Sequence, residues 1–284
     1  MDLSKAVTIE YGSAAYPTEW LGISDAPKTL YAFGNVALLQ ERKFCIVGSR
    51  RTPQTALKTG AKIAKALSHA FVVVSGTADG GDMAAIEGAL AGSGKIICML
   101  AGGFSTLPQA NVGVLQEVAK RGLLLSPYPH ETSVRTFSYE YRNKLLAALC
   151  DGVLVLGAAE KSGALITAKY AKKYGKKVFA LPYAPGAAAG VGCNALIKDG
   201  GFLTESEGDV LEGFGIELLN EPAAVTLTAD EEKMHAALRE LSEGHVNELS
   251  AKSGIPAFKA RAVLSALEVK GLAVSLGGNR YAAV

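Results

Sequence analysis

The stretch Phe71-Val72-Val73-Val74-Ser75-Gly76-Thr77-Ala78-Asp79-Gly80-Gly81-Asp82 joins a short apolar run to a glycine-rich turn, and a helical pattern follows. An uninterrupted apolar run is typical of a parallel strand that is covered on both faces. Glycine in the turn lets the backbone approach a ligand closely, and free N–H groups at a helix start attract anions. This stretch predicts one strand–turn–helix step of an α/β sheet.

The same alternation continues from about residue 43 to residue 213. Apolar runs predict strands at Phe44–Val47, Phe71–Ser75, Ile96–Leu100, Leu123–Ser126, Val153–Leu156 and Lys177–Leu181. Helical patterns lie between them at Pro53–His69, Gly81–Ala91, Asn111–Arg121, Tyr139–Leu149 and Gly163–Tyr174. We therefore predict an extended, Rossmann-like, doubly wound and mainly parallel sheet.

Local signals mark two of the helix starts. Thr52 before Pro53 predicts an N-cap followed by proline at the first helical position, where its missing N–H costs nothing. Ser162 is predicted to cap the helix that begins at Gly163.

The composition changes near residue 216, which predicts a second domain. We expect a Rossmann-like domain with a short N-terminal extension over 1–215, a linker over 216–228 and a small domain over 229–284. Helical patterns at Asp230–Leu241, Val246–Ser253 and Pro256–Lys270 precede a hairpin at Gly277-Gly278. Three helices followed by a hairpin predict a winged helix-turn-helix.

Composition limits the possible functions. The chain has 284 residues and a formal net charge of only +2, so a nucleic-acid site must be a local cluster of cations. No signal peptide or membrane-spanning stretch is apparent, and we expect a soluble cytoplasmic protein without membrane association. Four scattered cysteines are expected to be reduced: Cys45, Cys98, Cys150 and Cys193.

Candidate binding residues follow the predicted strands, where ligands of open α/β sheets bind. Gly48-Ser49-Arg50 follows the first strand, Ser75-Gly76 ends the second, and Lys161-Ser162-Gly163 with Thr167 comes after the fifth. Any sheet of this kind needs glycine at such turns, and Arg50 could be an ordinary surface arginine. Their coincidence at one sheet edge nevertheless favours a groove of phosphate sites.

The segment Phe137-Ser138-Tyr139-Glu140-Tyr141-Arg142-Asn143-Lys144 places three aromatic rings before two cations. Rings stack on bases and cations hold phosphates, a pairing that suits single-stranded nucleic acid. We expect Phe137 to be buried, and Tyr139 or Tyr141 to offer the stacking ring.

Several enzyme signatures are missing from the sequence. No Gly-x-Gly-x-x-Gly follows the first strand, and no Walker motif, zinc-ligand spacing or nucleophile motif is present. We therefore expect no cofactor, no metal and no catalytic residue.

Taken together, these motifs resemble the DNA-processing protein A (DprA/Smf) family of bacteria. Besides Gly48-Ser49-Arg50 and the turn ending at Asp82, the matching segments are Tyr16-Pro17, Ala26–Asn35, Arg142-Asn143-Lys144, Ser162–Ala168, Val178–Pro182 and Gly192–Ile197. The resemblance covers about Tyr16 to Gly201. The sequence departs from the family at Glu140, Asp79 and Tyr183, and Lys144 stands in place of an arginine.

The resemblance implies a homodimeric, non-enzymatic protein of natural transformation and recombination. Such a protein protects incoming single-stranded DNA and promotes loading of the RecA recombinase, with other competence or single-strand-binding proteins as further partners. Arg50 inherits a place in a basic DNA pocket, and Tyr139 inherits a contact with a base. The predicted DNA-binding residues are Gly48, Ser49, Arg50, Ser75, Gly76, Tyr139, Arg142, Asn143, Lys144, Lys161, Ser162, Gly163 and Thr167.

The sequence leaves two other functions open. A nucleoside monophosphate phosphoribohydrolase shares a related sheet, but the glutamate that assists glycosidic cleavage is missing after Glu160-Lys161-Ser162-Gly163. The C-terminal domain could instead read duplex DNA through Lys259, Arg261 and Arg280, although a protein-docking role fits its mixed charge at least as well.

Overall fold

The computed structural model describes residues 6–216 and 227–283. They fall into two compact units, one within each of these ranges. Residues 217–226, most of the predicted linker over 216–228, lie outside the described residues. In the described ranges, no helix is long and apolar enough to cross a membrane.

A mixed sheet forms the centre of the first unit, which confirms the predicted α/β fold. Its strands are β1 (Val7–Glu10), β2 (Thr29–Gly34), β3 (Lys43–Val47), β4 (Val72–Ser75), β5 (Ile96–Met99), β6 (Leu123–Ser126), β7 (Gly152–Val155), β8 (Lys177–Ala180) and β9 (Phe202–Leu203). Their order in the sheet is β1-β2-β6-β5-β4-β3-β7-β8-β9. The strands from β3 onwards pair in parallel, whereas β1 pairs with β2, and β2 with β6, in antiparallel fashion.

Helices cover both faces of this sheet. They are α1 (Gln54–Leu67), α2 (Gly81–Ala91), α3 (Val112–Arg121), α4 (Thr136–Leu149), α5 (Gly163–Lys173), α6 (Val191–Lys198) and α7 (Glu207–Gly213). Buried side chains of α1, α2, α3 and α7 join one apolar cluster, and those of α4, α5 and α6 join another. Strands β3 to β7 are buried at every position, as their uninterrupted hydrophobicity predicted.

The two predicted helix starts had different outcomes. The Ser162 hydroxyl accepts a hydrogen bond from the backbone N–H of Ala164 at 3.3 Å, which confirms the predicted cap. The predicted Thr52 cap was wrong, because the Thr52 hydroxyl donates to the Ser49 carbonyl at 2.8 Å. Pro53 is the N-cap residue of α1 instead, and its side chain makes no capping hydrogen bond.

The N-terminal segment packs against α4. Trp20 and Tyr16 are fully buried, and their rings meet edge to face. The Trp20 indole Nε1 donates to the backbone carbonyl of Leu145 on α4 at 3.0 Å, and the Tyr16 hydroxyl donates to the Pro27 carbonyl at 2.7 Å. The segment is therefore part of the core that supports α4.

The second unit combines three helices with a small antiparallel sheet. Its elements are α8 (Ala229–Leu241), β10 (Glu243–His245), α9 (Val246–Ser253), α10 (Ala257–Val269), β11 (Ala273–Gly277) and β12 (Arg280–Ala283), and the strand order is β10-β12-β11. A capping box starts α8, where Thr228 and Glu231 each accept from the other's backbone N–H. The assignment of this unit as a winged helix-turn-helix stays a prediction.

Candidate nucleic-acid interface

A cavity of about 330 Å³ opens at the carboxyl ends of the parallel strands. Its lining comes from the loop after β3, the turn after β4, helix α4 and the start of α5. The lining residues are Val47, Gly48, Ser49, Arg50, Ala78, Asp82, Tyr139, Arg142, Asn143, Ser162, Gly163, Ala164 and Thr167. Four chain segments that are distant in sequence therefore meet at the sheet edge where ligands of this fold bind.

The loop after β3 is held by backbone contacts to both neighbouring turns. The backbone N–H of Ser49 donates to the Gly157 carbonyl at 2.9 Å, and the Ser49 carbonyl accepts from the N–H of Gly81 at 3.3 Å. A Cβ atom at Gly48 would lie 2.9 Å from the Gly81 Cα, so glycine is needed for this approach. The loop presents Arg50 as an exposed side chain at the cavity.

Asp82 forms the inner wall of this first cavity and is 4% exposed. Its carboxylate oxygens accept from the backbone N–H of Ala78 at 3.3 Å and from that of Gly48 at a long 3.5 Å. Burial raises the pKa of the Asp82 carboxyl, while the Arg142 charge, these two N–H groups and the Arg50 charge act in the opposite direction. The carboxylate fixes the turn after β4 against the loop after β3.

Arg142 lies behind Asp82 and points into the protein. Its Nη1 atom is 3.9 Å from the Asp82 carboxylate and donates to the Met99 carbonyl at 3.1 Å, while its Nε donates to Asn143 Oδ1 at 2.9 Å. Gly76 faces the guanidinium so closely that any Cβ atom there would overlap Arg142 and Asp82. Arg142 is therefore an internal cation that supports the cavity wall.

The opposite wall is the start of α5. Asn143 Nδ2 donates to the Gly163 carbonyl at 3.1 Å, which ties this wall to α4. Thr167 also lines the cavity, and its buried hydroxyl has no hydrogen-bond partner among the residues that the structure describes. Buried hydroxyl groups normally have a partner, so this one is a candidate to bond a ligand or a water molecule.

A second cavity, of about 270 Å³, adjoins the first. It is lined by Arg50, Thr77, Ala78, Asp79, Leu100, Ala101, Thr106, Pro108, Val134 and Tyr139. Arg50, Ala78 and Tyr139 line both cavities. Tyr139 is 41% exposed, so one aromatic ring and one arginine stand between two adjoining recesses.

A comparison with known proteins identifies the family. The model of the family described as DNA recombination-mediator protein A matches residues 7–215. The chain belongs to this family. The resemblance seen in the motifs is thereby confirmed.

Relatives within the DNA recombination-mediator protein A family have similar sequences. The DNA processing protein DprA of Streptococcus pneumoniae is 36% identical over 200 residues, which cover 70% of this chain and 71% of the relative. The DprA of Bacillus subtilis is 35% identical over 178 residues, covering 62% and 60%. This chain thus spans only part of the length of each relative.

Solved structures of the family share the fold. The DprA of Streptococcus pneumoniae superposes with a TM-score of 0.70 at 34% identity, covering 74% of this chain and 75% of the other. DNA processing protein A of Helicobacter pylori superposes with a TM-score of 0.67 at 31% identity, covering 74% and 95%. The latter structure was described for the single-stranded DNA binding mode of that protein.

Some of the site residues expected from the resemblance to this family lie away from the two cavities. The Ser75 hydroxyl is buried and donates to the Ile46 carbonyl at 2.7 Å, and Gly76 is buried behind the wall. Lys144 is ion-paired with Asp25 and lines neither cavity. Lys161 is exposed beside Ser162 but is likewise absent from both linings.

The aromatic residues before Arg142 differ in their exposure. Tyr139 borders the cavities, whereas Tyr141 is half-buried and its hydroxyl donates to the Asp25 carbonyl at 2.7 Å. The expectation that Phe137 is buried was wrong, since it is 60% exposed near the start of α4. Of the three cations among the predicted DNA-binding residues, Arg50 is exposed at both cavities, Arg142 is buried, and Lys144 is paired with Asp25.

Sequence reasoning gave Asp82 no binding role, although the family's turn motif ends on it. The second cavity was not anticipated either. Its far wall includes Ala101, from the Ala101-Gly102-Gly103 turn after β5 whose place at a strand end the sequence indicated, and Val134, which no motif indicated. Asp79, noted as a departure from the family, lies there and accepts a hydrogen bond from Asn111 Nδ2 at 2.8 Å.

Proposed function

We propose that this protein binds single-stranded DNA across the two adjoining cavities. The observation that carries the proposal is that Arg50 and Tyr139, both exposed, line both cavities. A guanidinium suits phosphate geometry, and a phenol ring stacks on bases of any sequence. A base in either cavity would therefore find a stacking surface and a phosphate contact beside it.

The start of α5 supports the same binding mode. Ser162, Gly163 and Ala164 form one wall at the N-terminus of a helix of 11 residues, where backbone N–H groups favour an anion. The inner wall is different, because the Asp82 carboxyl there already faces Arg142 and accepts from two backbone N–H groups. We infer that phosphates stay near Arg50 and the helix start, and that bases enter the cavities.

The relative from Helicobacter pylori, whose structure concerns single-stranded DNA binding, supports this proposal. Following the family resemblance, we further propose that the protein acts as a homodimer and promotes loading of RecA on the bound strand. A strand-exchange reaction started on DNA coated with single-strand-binding protein tests this role. The intact protein should shorten the lag before RecA filaments form.

We propose no nucleotide hydrolysis. Among the described residues that line the first cavity, Asp82 is the sole carboxylate. It is bonded by two backbone N–H groups and faces Arg142, which leaves it poorly placed to assist glycosidic cleavage. Release of free base from nucleoside monophosphates is the assay that would contradict this view.

The direct test compares single-stranded with duplex oligonucleotides over a series of salt concentrations. We expect preference for the single strand and a linear fall of log affinity with log salt, because each phosphate contact on a single strand contributes a slope of about −0.7. Arg50→Ala should weaken binding and flatten the slope by about 0.7. Lys169→Ala, an exposed cation on α5 outside both cavities, is the matched control. Equal affinity of Arg50→Ala and the control for the single strand would refute the proposal.

A further inference from the structure

The outer face of α1 carries a row of lysines. Lys58, Lys62 and Lys65 are all exposed. At about 100° per residue they fall within an arc of about 60°. The buried residues of the helix, among them Ala56 and Ile63, lie on the opposite side. The three ammonium groups therefore form one stripe directed away from the core.

This stripe has no acidic partner among the residues that the structure describes. Helix α1 contains no acidic residue. Within the described ranges, none of the three lysines forms an ion pair or a side-chain hydrogen bond, and neither do Glu87 and Glu212, exposed acids on the neighbouring helices α2 and α7. Other surface lysines of this unit do have acidic partners, namely Lys95, Lys120 and Lys172.

The stripe starts close to the proposed binding site. Strand β3 runs into the loop that carries Arg50, and α1 begins at Gln54, four residues after that arginine. From Lys58 to Lys65 the helix rises about 10 Å, at 1.5 Å per residue. Lys58 is therefore only about one helical turn beyond the start of α1 and eight residues after Arg50.

The helix on the opposite face of the sheet is less suitable. Lys172 at the end of α5 is paired with Asp199. The Tyr170 hydroxyl of the same helix donates to Glu140, at 3.2 Å. Carboxylates are thus interspersed among the cations there, which disfavours a continuous polyanion.

We propose that Lys58, Lys62 and Lys65 bind the phosphodiester backbone of a single strand as it leaves the first cavity. The inference rests on the proposed binding of single-stranded DNA and extends that site along α1. Charge complementarity and continuity with the Arg50 loop carry it. The stripe adds affinity only for strands that are long enough to pass beyond the cavities.

The test uses the full chain with all three lysines replaced, Lys58→Gln, Lys62→Gln and Lys65→Gln. Binding is measured for oligothymidylates of about 6 and about 20 nucleotides, of which the longer exceeds the site sizes of about 4–16 nucleotides known for single OB folds. We expect unchanged affinity for the short strand. For the long strand we expect weaker binding and a salt slope reduced by about 2, since three phosphate contacts contribute about 0.7 each.

A charge-matched control replaces Lys169, Lys173 and Lys176 with glutamine on and just after α5, and it should bind both strands as the unaltered protein does. Thermal unfolding checks that both triple variants fold. The proposal is overturned if the α1 variant binds the long strand as the unaltered protein does, or if the α5 control loses as much affinity for it. It is also overturned if the α1 substitutions weaken binding only to duplex DNA or only to anionic vesicles.

The two proposals fail in different ways. If the short strand binds with full dependence on Arg50 and only the long-strand effect is missing, the α1 stripe alone is refuted. If the unaltered protein binds neither strand, the proposed function fails and the stripe fails with it.

Discussion

Arg142 and Asp82 form a buried ion pair, with 3.9 Å between Nη1 and Oδ2 and each side chain 6% exposed. The pair joins α4 to the first turn of α2, and both residues line the first cavity. Its partners are internal, so its role is to hold the cavity wall.

Breaking this pair should destabilise the protein. Arg142→Met leaves the Asp82 carboxylate buried without its cation, which typically costs about 3–5 kcal/mol of unfolding free energy. Denaturant unfolding measures the loss. Lys169→Met on the surface of α5 is the control and should change stability by less than about 0.5 kcal/mol.

The same variant should respond unusually to pH. Burial raises the pKa of Asp82 above its ordinary value of 3.8, and removing Arg142 removes a cause that lowers it. Between the unfolded and the folded pKa the native state binds the extra proton, so this contribution to stability grows as the pH falls. Arg142→Met should regain part of its stability relative to the unaltered protein as the pH is lowered from neutral toward 3.8, the ordinary pKa of the carboxyl. A constant difference across that range would contradict the assignment.

Gly76 should tolerate no side chain. Its added Cβ would overlap the Arg142 guanidinium and the Asp82 carboxylate. Gly76→Ala should therefore cost about 1–3 kcal/mol of unfolding free energy, as overpacking does. Gly113→Ala on α3 is the control, since a Cβ there meets nothing within 4 Å and alanine favours the helix. Equal stability of the two variants would show that the wall can adjust.

Tyr139 and Phe137 provide a matched pair of exposed rings on α4. Only Tyr139 lines the cavities. Tyr139→Ala should cost about 1–3 kcal/mol of binding free energy for single-stranded DNA if one base stacks there, and Tyr139→Phe should retain most of it. Phe137→Ala should bind normally. Fluorescence anisotropy with a labelled oligonucleotide measures the affinity of all three variants. A loss of affinity in Phe137→Ala and not in Tyr139→Ala would indicate that the strand passes Phe137 instead.

Lys144 should make no phosphate contact. Its ammonium group is ion-paired with Asp25, and its side chain is only 14% exposed. Lys144→Met should therefore leave the salt slope of binding unchanged, in contrast to Arg50→Ala. A salt slope that is smaller by about 0.7 in this variant would show that Lys144 does contact a phosphate.

The Thr167 hydroxyl should matter more for binding than for folding. It is buried beside the first cavity without a partner among the described residues. Thr167→Val keeps the shape and removes an unsatisfied group, so the unfolding free energy should stay equal or rise by about 1 kcal/mol. Weaker binding of single-stranded DNA by this variant would show that the hydroxyl bonds the ligand, whereas unchanged binding would leave it without a role.

The parallel strands β3 to β8 and their turns could be predicted because these strands are buried at nearly every position and therefore have uninterrupted apolar sequences. The strands β1 and β2 escaped prediction for the opposite reason. Their burial alternates or is slight, so their sequences lack that signal. The positions of Arg50 and Tyr139 followed from the turns and the family motifs.

The sequence could not indicate which cations are exposed for binding and which are held by internal partners. The partner of Lys144 is Asp25, which is 119 residues away in the chain. Arg142 is turned inward because Gly76 leaves space for its guanidinium and Asp82 offers a carboxylate partner. Both residues are distant in sequence from Arg142, so its own segment did not indicate this orientation. Exposure of Phe137 likewise depends on where α4 begins, at Thr136, three residues earlier than the pattern indicated.

The hydrogen bond from Trp20 to Leu145 has a practical consequence for anyone who shortens this protein. A fragment that starts at β3 would keep every residue of the parallel sheet and of both cavities. It would nevertheless uncover the side of α4 that packs against Trp20, and α4 is the helix that carries Tyr139 and Arg142. Removing about the first forty residues, none of which is proposed to contact DNA, should therefore destabilise the packing of α4 and weaken DNA binding indirectly.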